Sequence, residues 1–164
     1  MDTRAVIGLS VLLSFFASAR IAQLYVWPRL RLLPRDEALN VLVAPHMFRF
    51  VGLSFLLPGV VSRDLSPAFA LPAAYGDLAA TILAMIATVA LSARASWAIA
   101  MVWLFNLVGS ADLLFANYQG LVGVGLAPGV LGAAVYLPTM IVPPLLVTHV
   151  MMFQLLLQGE RRVI

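Results

Sequence analysis

The residues with the clearest chemical potential are a histidine and an arginine inside an apolar stretch. His46 and Arg49 lie in residues 44–50, between long runs of aliphatic and aromatic side chains. Their spacing of three residues places them on one face of an α-helix, about 60° apart. A basic side chain in hydrocarbon is costly, so such residues usually mark a binding site, an ion path or a buried ion pair. Arg49 is therefore the centre of the candidate site.

Further polar residues in other apolar stretches extend this candidate ligand-binding site: Arg20, Asp77, Asn106, Asp112 and His149. Asn106, Gly109 and Asp112 follow one another at intervals of three, which keeps them within an arc of about 120° on a helix. A carboxylate in hydrocarbon costs several kcal/mol unless it is paired, hydrated or protonated. The sequence therefore predicts that Arg49 pairs inside the bundle with Asp112 or Asp77.

Each of these polar residues also has a purely structural interpretation. Asp77 could cap the start of its helix, where the dipole favours an anion. Asn106 could simply bridge two helices. If Pro45 begins a short helix, His46 and Arg49 would lie near the lipid headgroups and extend towards water.

The two histidines, His46 and His149, are the only ones in the chain. Their estimated depths agree within about 2 Å, so we expect the imidazoles to approach each other across the bundle. Such a pair could hold a b-type haem or another metal, with Arg20 and Arg49 neutralising propionates. The cofactor is left open, because either histidine could instead hydrogen-bond a neighbouring helix.

Composition defines the kind of molecule that positions these groups. The chain has 164 residues, of which 63% are hydrophobic and 10% charged, and a mean hydropathy of +1.02. This composition predicts a multi-pass membrane protein whose main partner is the lipid bilayer. There is no cysteine, which excludes disulfides and thiolate chemistry. All ten basic residues are arginine, which excludes lysine-based Schiff bases and phosphate loops.

Five apolar stretches are long enough to cross a bilayer as helices, at about residues 5–27, 38–61, 73–93, 96–116 and 135–157. They are too long for the strands of a membrane barrel. We predict an all-α polytopic bundle of five transmembrane helices, forming a single domain over residues 1–164. The first stretch, with Ala17-Ser18-Ala19, also resembles a signal peptide, but its apolar run continues to Trp27.

Prolines interrupt the predicted second and fifth spans. Pro45 either kinks the second helix or begins a shorter one. Pro143-Pro144 removes two amide donors close to Thr148 and His149, as in the broken helices that form transporter sites. This break is predicted to be a ligand or hinge feature, with a plain kink as the alternative.

Loop composition predicts the topology. The glycine-rich residues 117–132 read as a re-entrant or interfacial segment, or else as disordered, and Arg94-Ala95-Ser96 reads as a tight turn. Six arginines fall on one side of five spans, in the first loop, at Arg94 and at Arg161-Arg162, whereas Arg4 and Arg63 fall on the other. The arginine distribution thus predicts an outside N-terminus and a cytoplasmic C-terminus.

Three functional hypotheses follow. The first is binding or transport of a small or lipid-like ligand at the intramembrane Arg/His site, and an anionic ligand is compatible with the arginines. The second is a haem or metal protein using His46 and His149, and the third is a structural or assembly subunit of a larger membrane complex. No catalytic motif is present, the net charge of +3 comes from arginines that flank apolar runs, and no nucleic-acid partner is expected. Enzymatic activity and oligomeric state are left open.

Overall fold

The fold consists of five long helices, seen in a computed structural model that describes residues 2–124, 126–127 and 129–158. All five are long and apolar enough to span a membrane. Over the described ranges there is no strand, and the predicted all-helical class is confirmed. The helices are α1 (Thr3–Leu30), α2 (Arg35–Leu56), α3 (Pro67–Ser92), α4 (Ala98–Gly123) and α5 (Gly132–Leu157).

Helices α2 to α5 form the core, and α1 lies outside it against α5. Leu30 is the one buried side chain among the described residues of α1. Helix α1 continues without a break through Ala17 and Ala19. Because so few of its side chains are buried, α1 packs on the outside of the bundle and does not form part of its core.

Two apolar clusters fill the ends of the bundle. The first, at what we call the arginine-rich end, packs the start of α2 and the end of α5 around Val102, Phe105 and Met152. Arg35 joins these helices by donating to the carbonyl oxygens of Leu155 (3.1 Å) and Leu156 (2.7 Å). The second cluster, at the glycine-rich end, packs α3 and the start of α5. The polar residues lie between the two clusters.

Helix α2 changes type where Pro45 occurs. It is α-helical over Arg35–Val43 and then forms a 3₁₀-helix over Ala44–Leu56. Pro45 does not begin a shorter helix, because α2 is continuous from Arg35 to Leu56. The full-length interpretation is confirmed in that respect, and the helix changes type at the proline. A 3₁₀-helix has about three residues per turn, and runs of this length are uncommon. Its buried residues follow that period in one column: His46, Arg49, Gly52 and Phe55.

Helix α5 accommodates its prolines by changing type as well. Its π-helical turn Leu137–Ile141 precedes the α-helical part Val142–Leu157. Pro143 and Pro144 occupy the first turn of that part, where a missing N–H is tolerated. Consequently, the helix has no gap at this point. The role of the break in ligand binding or hinge motion stays a prediction.

The glycine-rich segment folds against its end of the bundle. Helix α4 ends in a π-helical turn over Gln119–Gly123, and Leu126 then donates its amide to Gly120 O at 2.9 Å. Val130 O accepts from Ser62 N, and Val60 O accepts from Ala133 N. This part of the chain therefore has a defined fold over its described residues. Gly125, Pro128 and the predicted cytoplasmic pair Arg161-Arg162 lie outside the described ranges.

The α3–α4 turn is as tight as predicted, and Arg94 adopts a left-handed conformation in it (φ 51°). Ala95 N donates to Ala90 O and Arg94 N to Leu91 O, both at 3.0 Å. These two bonds form a Schellman motif, in which glycine usually occupies the left-handed position.

Replacing Arg94 by glycine is therefore expected to stabilise the protein by about 0.5–1 kcal/mol, because glycine adopts this conformation without steric cost. Thermal unfolding in detergent would measure the change as a higher Tm. Ser92→Gly, within α3, is the matched control and is expected to destabilise. An unchanged or lower Tm for Arg94→Gly would show that the arginine side chain contributes more than the turn strain costs.

Candidate functional site

The site is centred on Arg49, whose side chain is completely buried. Its Nε donates to Asp77 Oδ1 at 2.7 Å, and its Nη2 donates to Asp112 Oδ2 at 2.5 Å. Its Nη1 donates to the carbonyl oxygen of Gly109 at 3.0 Å. The predicted pairing is confirmed, and it involves both carboxylates at once. One guanidinium thus joins α2, α3 and α4.

Three glycines make room for these contacts. A Cβ on Gly52 would overlap the Asp77 carboxylate, and a Cβ on Gly76 would overlap that of Asp112. A Cβ on Gly109 would lie 3.0 Å from Arg49 Nη1 and 2.8 Å from Cε1 of His149. The ionic groups can therefore approach the helix backbones only because these positions lack side chains.

Asp77 does not cap its helix, contrary to the structural interpretation of the sequence. Helix α3 begins at Pro67, and the Ser66 side chain accepts a hydrogen bond from Ala68 N as the cap. Asp77 lies ten residues further along, in the interior of α3. At that depth the helix dipole contributes little, so Arg49 is the partner that stabilises its charge.

Asn106 and the two histidines extend the polar layer towards α5. His149 Nδ1 lies 2.6 Å from Asn106 Oδ1, and Asn106 Nδ2 donates to His149 O at 3.4 Å. Asn106 therefore bridges α4 and α5, as its structural interpretation predicted. His46 Nε2 lies 2.9 Å from Thr148 Oγ1, which itself donates to Leu145 O. All three predicted residues are buried, and so is Arg49, so His46 and Arg49 do not extend towards water as the headgroup interpretation expected.

The predicted approach of the two imidazoles is confirmed, but their geometry does not suit a haem. The ring centroids of His46 and His149 are 4.3 Å apart, and both rings also pack against Phe105. A metal ion needs about 2 Å to each nitrogen, which separates two ligating rings by roughly 6 Å between centroids. At a centroid separation of 4.3 Å, there is also no room for a porphyrin with its iron between the two rings. Across the described ranges, no cluster of three or more metal-ligating His, Asp or Glu side chains occurs.

Arg20 is the one predicted site residue that the structure places elsewhere. It is exposed on α1, and its Nη1 donates to Gln23 Oε1 at 2.5 Å. Its position in an apolar stretch suggested the site, but that position does not say whether a helix lies in the core. Because α1 is peripheral, Arg20 does not contact the Arg49 network.

A cavity of about 840 Å³ extends from this network to the glycine-rich end. Its walls come from all five helices and the glycine-rich segment, and most of its lining is apolar. Asp77 and Asp112 lie at its inner end with 16% and 15% of their side chains exposed, whereas Arg49 lies behind them. Among the described residues that line it, the cavity thus presents two carboxylates at its inner end and one exposed cation, Arg4, but no buried cation.

Sequence reasoning missed Gly52, Gly76 and the cavity. The two glycines had a detectable signal in the sequence. Gly52 follows Arg49 by three residues, as Arg49 follows His46, and Gly76 directly precedes Asp77. The cavity had none, since it depends on how α1 lies against the other helices.

The fold and the site define a class of small all-helical proteins in which five long apolar helices surround a buried arginine held by two carboxylates. This chain belongs to the family described as "Domain of unknown function (DUF8737)", which matches residues 6–157 and so includes every residue of the Arg49 network. Comparisons with curated proteins and with solved structures gave no match.

Proposed function

We propose that this protein is a single-domain, multi-pass membrane protein that binds a lipid-like amphiphile in the cavity, either to carry it or to sense it. The observation behind the proposal is the position of Asp77 and Asp112 at the inner end of an otherwise mostly apolar cavity. An apolar pocket with a few convergent polar groups is the usual form of a small-molecule site. The alkyl part of the ligand would fill the cavity, and its polar end would contact the carboxylates.

The charges favour a ligand whose polar end is cationic or donates hydrogen bonds. Arg49 could have attracted an anion, but both carboxylates lie between its guanidinium and the cavity. At the inner end of the cavity, two carboxylates against one arginine leave one excess negative charge, and Arg4, which also lines the cavity, is exposed and pairs with neither carboxylate. An anionic group would therefore be repelled at the inner end. We therefore propose a cationic ligand, whereas the arginines in the sequence were compatible with an anionic one.

The walls of the cavity favour a ligand that arrives from the membrane. Residues 3–12 of α1 contribute Val6, Ile7 and Val11 to the lining, and these belong to the helix that packs least tightly. A volume of about 840 Å³ is within the range of roughly 300–1,000 Å³ typical of ligand sites. If the arginine-rich end is cytoplasmic, as the arginine count predicts, the cavity lies in the outer half of the bilayer.

Binding of matched twelve-carbon amphiphiles would test this proposal. We expect radiolabelled dodecyltrimethylammonium to bind saturably to the protein in nanodiscs, dodecanol to compete weakly and dodecanoate not to compete. Asp112→Asn should weaken the binding by at least about tenfold, since the trimethylammonium head interacts with the carboxylates by charge alone, and one ion pair at roughly 4 Å is worth on the order of 4 kcal/mol at an effective dielectric constant of about 20. Scintillation proximity on the immobilised protein measures each dissociation constant.

The matched control is Glu37→Gln, which removes an exposed carboxylate at the arginine-rich end and should leave binding unchanged. Asp112→Asn is expected to fold, because Asp77 still pairs with Arg49 in that variant. Equal competition by dodecanoate, or unchanged affinity in Asp112→Asn, would contradict the proposed site.

A further inference from the structure

We infer that one proton occupies the Asp77–Asp112 pair in the ligand-free protein and leaves when the cationic end of a ligand binds, so that the site exchanges a proton for a cation. The ligand half of this exchange rests on the proposed function. The proton half rests on the charges and contacts of the site alone, and it can be tested separately.

The charges around Arg49 do not balance. One guanidinium faces two carboxylates in a region where an uncompensated charge is expensive. Each carboxylate uses one oxygen for Arg49 and holds the other, Asp77 Oδ2 or Asp112 Oδ1, over the backbone of Gly52 or Gly76. Neither of these second oxygens receives a hydrogen bond from the described part of the chain. They are the atoms on which a proton, or a ligand cation, would act.

No neighbouring side chain within the described ranges supplies the missing positive charge. From α5, His149 directs Nδ1 to Asn106, and from α2, His46 directs Nε2 to Thr148. Helix α1 contributes Arg4, which lines the cavity but is exposed and makes no ion pair with either carboxylate. The described residues of the glycine-rich segment include no Arg, Lys or His that could supply a positive charge. A proton on one carboxyl group is therefore the simplest way to neutralise the ligand-free site.

The exchange step balances in atoms and charge. In the ligand-free state one carboxyl group carries an O–H bond, and the network of Arg49, carboxylate and carboxylic acid is neutral. When a cationic head arrives, the O–H proton passes to water and the new carboxylate pairs with the cation. No bond within the ligand changes, and the site is neutral again. The pair of carboxyl groups therefore holds either the proton or the cationic head of the ligand, but not both.

The first experiment uses dodecyltrimethylammonium, which has no proton of its own to release. Calorimetric titration in two buffers with different ionisation enthalpies should show about one proton released for each ligand bound. The dissociation constant should fall about tenfold for each unit by which the pH rises over the range in which the proton is displaced. Binding without proton release would overturn the exchange and leave the proposed ligand site intact.

The second experiment needs no ligand. Infrared spectroscopy of the ligand-free protein in nanodiscs should show the C=O stretch of a protonated carboxylic acid. Either Asp112→Asn or Asp77→Asn should abolish this band, because one arginine then faces one carboxylate and no proton is required. Glu37→Gln should leave the band unchanged. If the parent protein shows no such band, or if both single variants keep it, the proton inference is wrong whatever the amphiphiles do.

Discussion

Replacing Arg49 by leucine is expected to lower the free energy of unfolding by about 3–5 kcal/mol, because removing one member of a buried ionic group leaves its partners uncompensated. Here two partners are stranded, Asp77 and Asp112, on two different helices. Thermal unfolding in mild detergent would report the loss as a large fall in Tm. A variant that melts like the parent would contradict the role of Arg49 at the centre of the bundle.

Arg20→Leu is the matched control for this experiment. It makes the same substitution at an exposed arginine whose recorded side-chain contact is with Gln23 on its own helix. A surface change of this kind is expected to alter stability by no more than about 0.5 kcal/mol.

Compensating variants should recover stability in a defined order. Arg49→Gln/Asp112→Asn still leaves Asp77 without a cation and should recover only part of the loss. Arg49→Gln/Asp77→Asn/Asp112→Asn removes all three charges and should recover more. Equal stability of the double and triple variants would show that Asp77 does not depend on Arg49.

The second large effect concerns Gly76. Alanine at this position would place a Cβ where the Asp112 carboxylate lies, so the carboxylate or the helix must move. Overpacking of this kind typically costs about 1–3 kcal/mol. We expect a lower Tm together with weaker binding of dodecyltrimethylammonium, since the displaced carboxylate also lines the cavity.

Gly8→Ala provides the comparison, because it makes the same change in α1 with no atom near the new Cβ. Alanine is favoured over glycine inside a helix by about 0.5–1 kcal/mol, so this variant should be as stable as the parent or more stable. The comparison is made on Tm alone, because Gly8 also lines the cavity. If Gly76→Ala melts at the same temperature as Gly8→Ala, the close approach of Asp112 to the α3 backbone is not required.

The parts of the site that follow from charge and helical spacing could be predicted from the sequence. An arginine and two aspartates in apolar stretches are expected to form ion pairs, because burying any one of these charges without a partner costs several kcal/mol. Asn106, Gly109 and Asp112 share a face because they are three residues apart, and the structure directs that face inwards. These predictions depend on local periodicity and on the cost of burial, and neither requires knowledge of the tertiary arrangement.

Other features depend on tertiary packing and could not be predicted in this way. The 3₁₀ form of α2 aligns His46 and Arg49 in one column, whereas α-helical geometry placed them about 60° apart. Arg20 lies in an apolar stretch like the other candidate residues, but nothing in the apolar composition of α1 reveals that this helix lies outside the core. Apolar composition predicts a third span from about residue 73, but α3 begins at Pro67, where Ser66 and Pro67 form a typical helix start.

Photoaffinity labelling would test the central claim most directly, because it locates the bound amphiphile. A dodecylammonium probe carrying a diazirine on its alkyl chain would be cross-linked to the protein in nanodiscs, and the adducts mapped by mass spectrometry. The account predicts adducts on cavity residues such as Leu113 and Leu137, lost when unlabelled dodecyltrimethylammonium is added and reduced in Asp112→Asn. Adducts confined to outward-facing side chains such as Val89 and Leu104, insensitive to the competitor, would contradict a ligand site in the cavity.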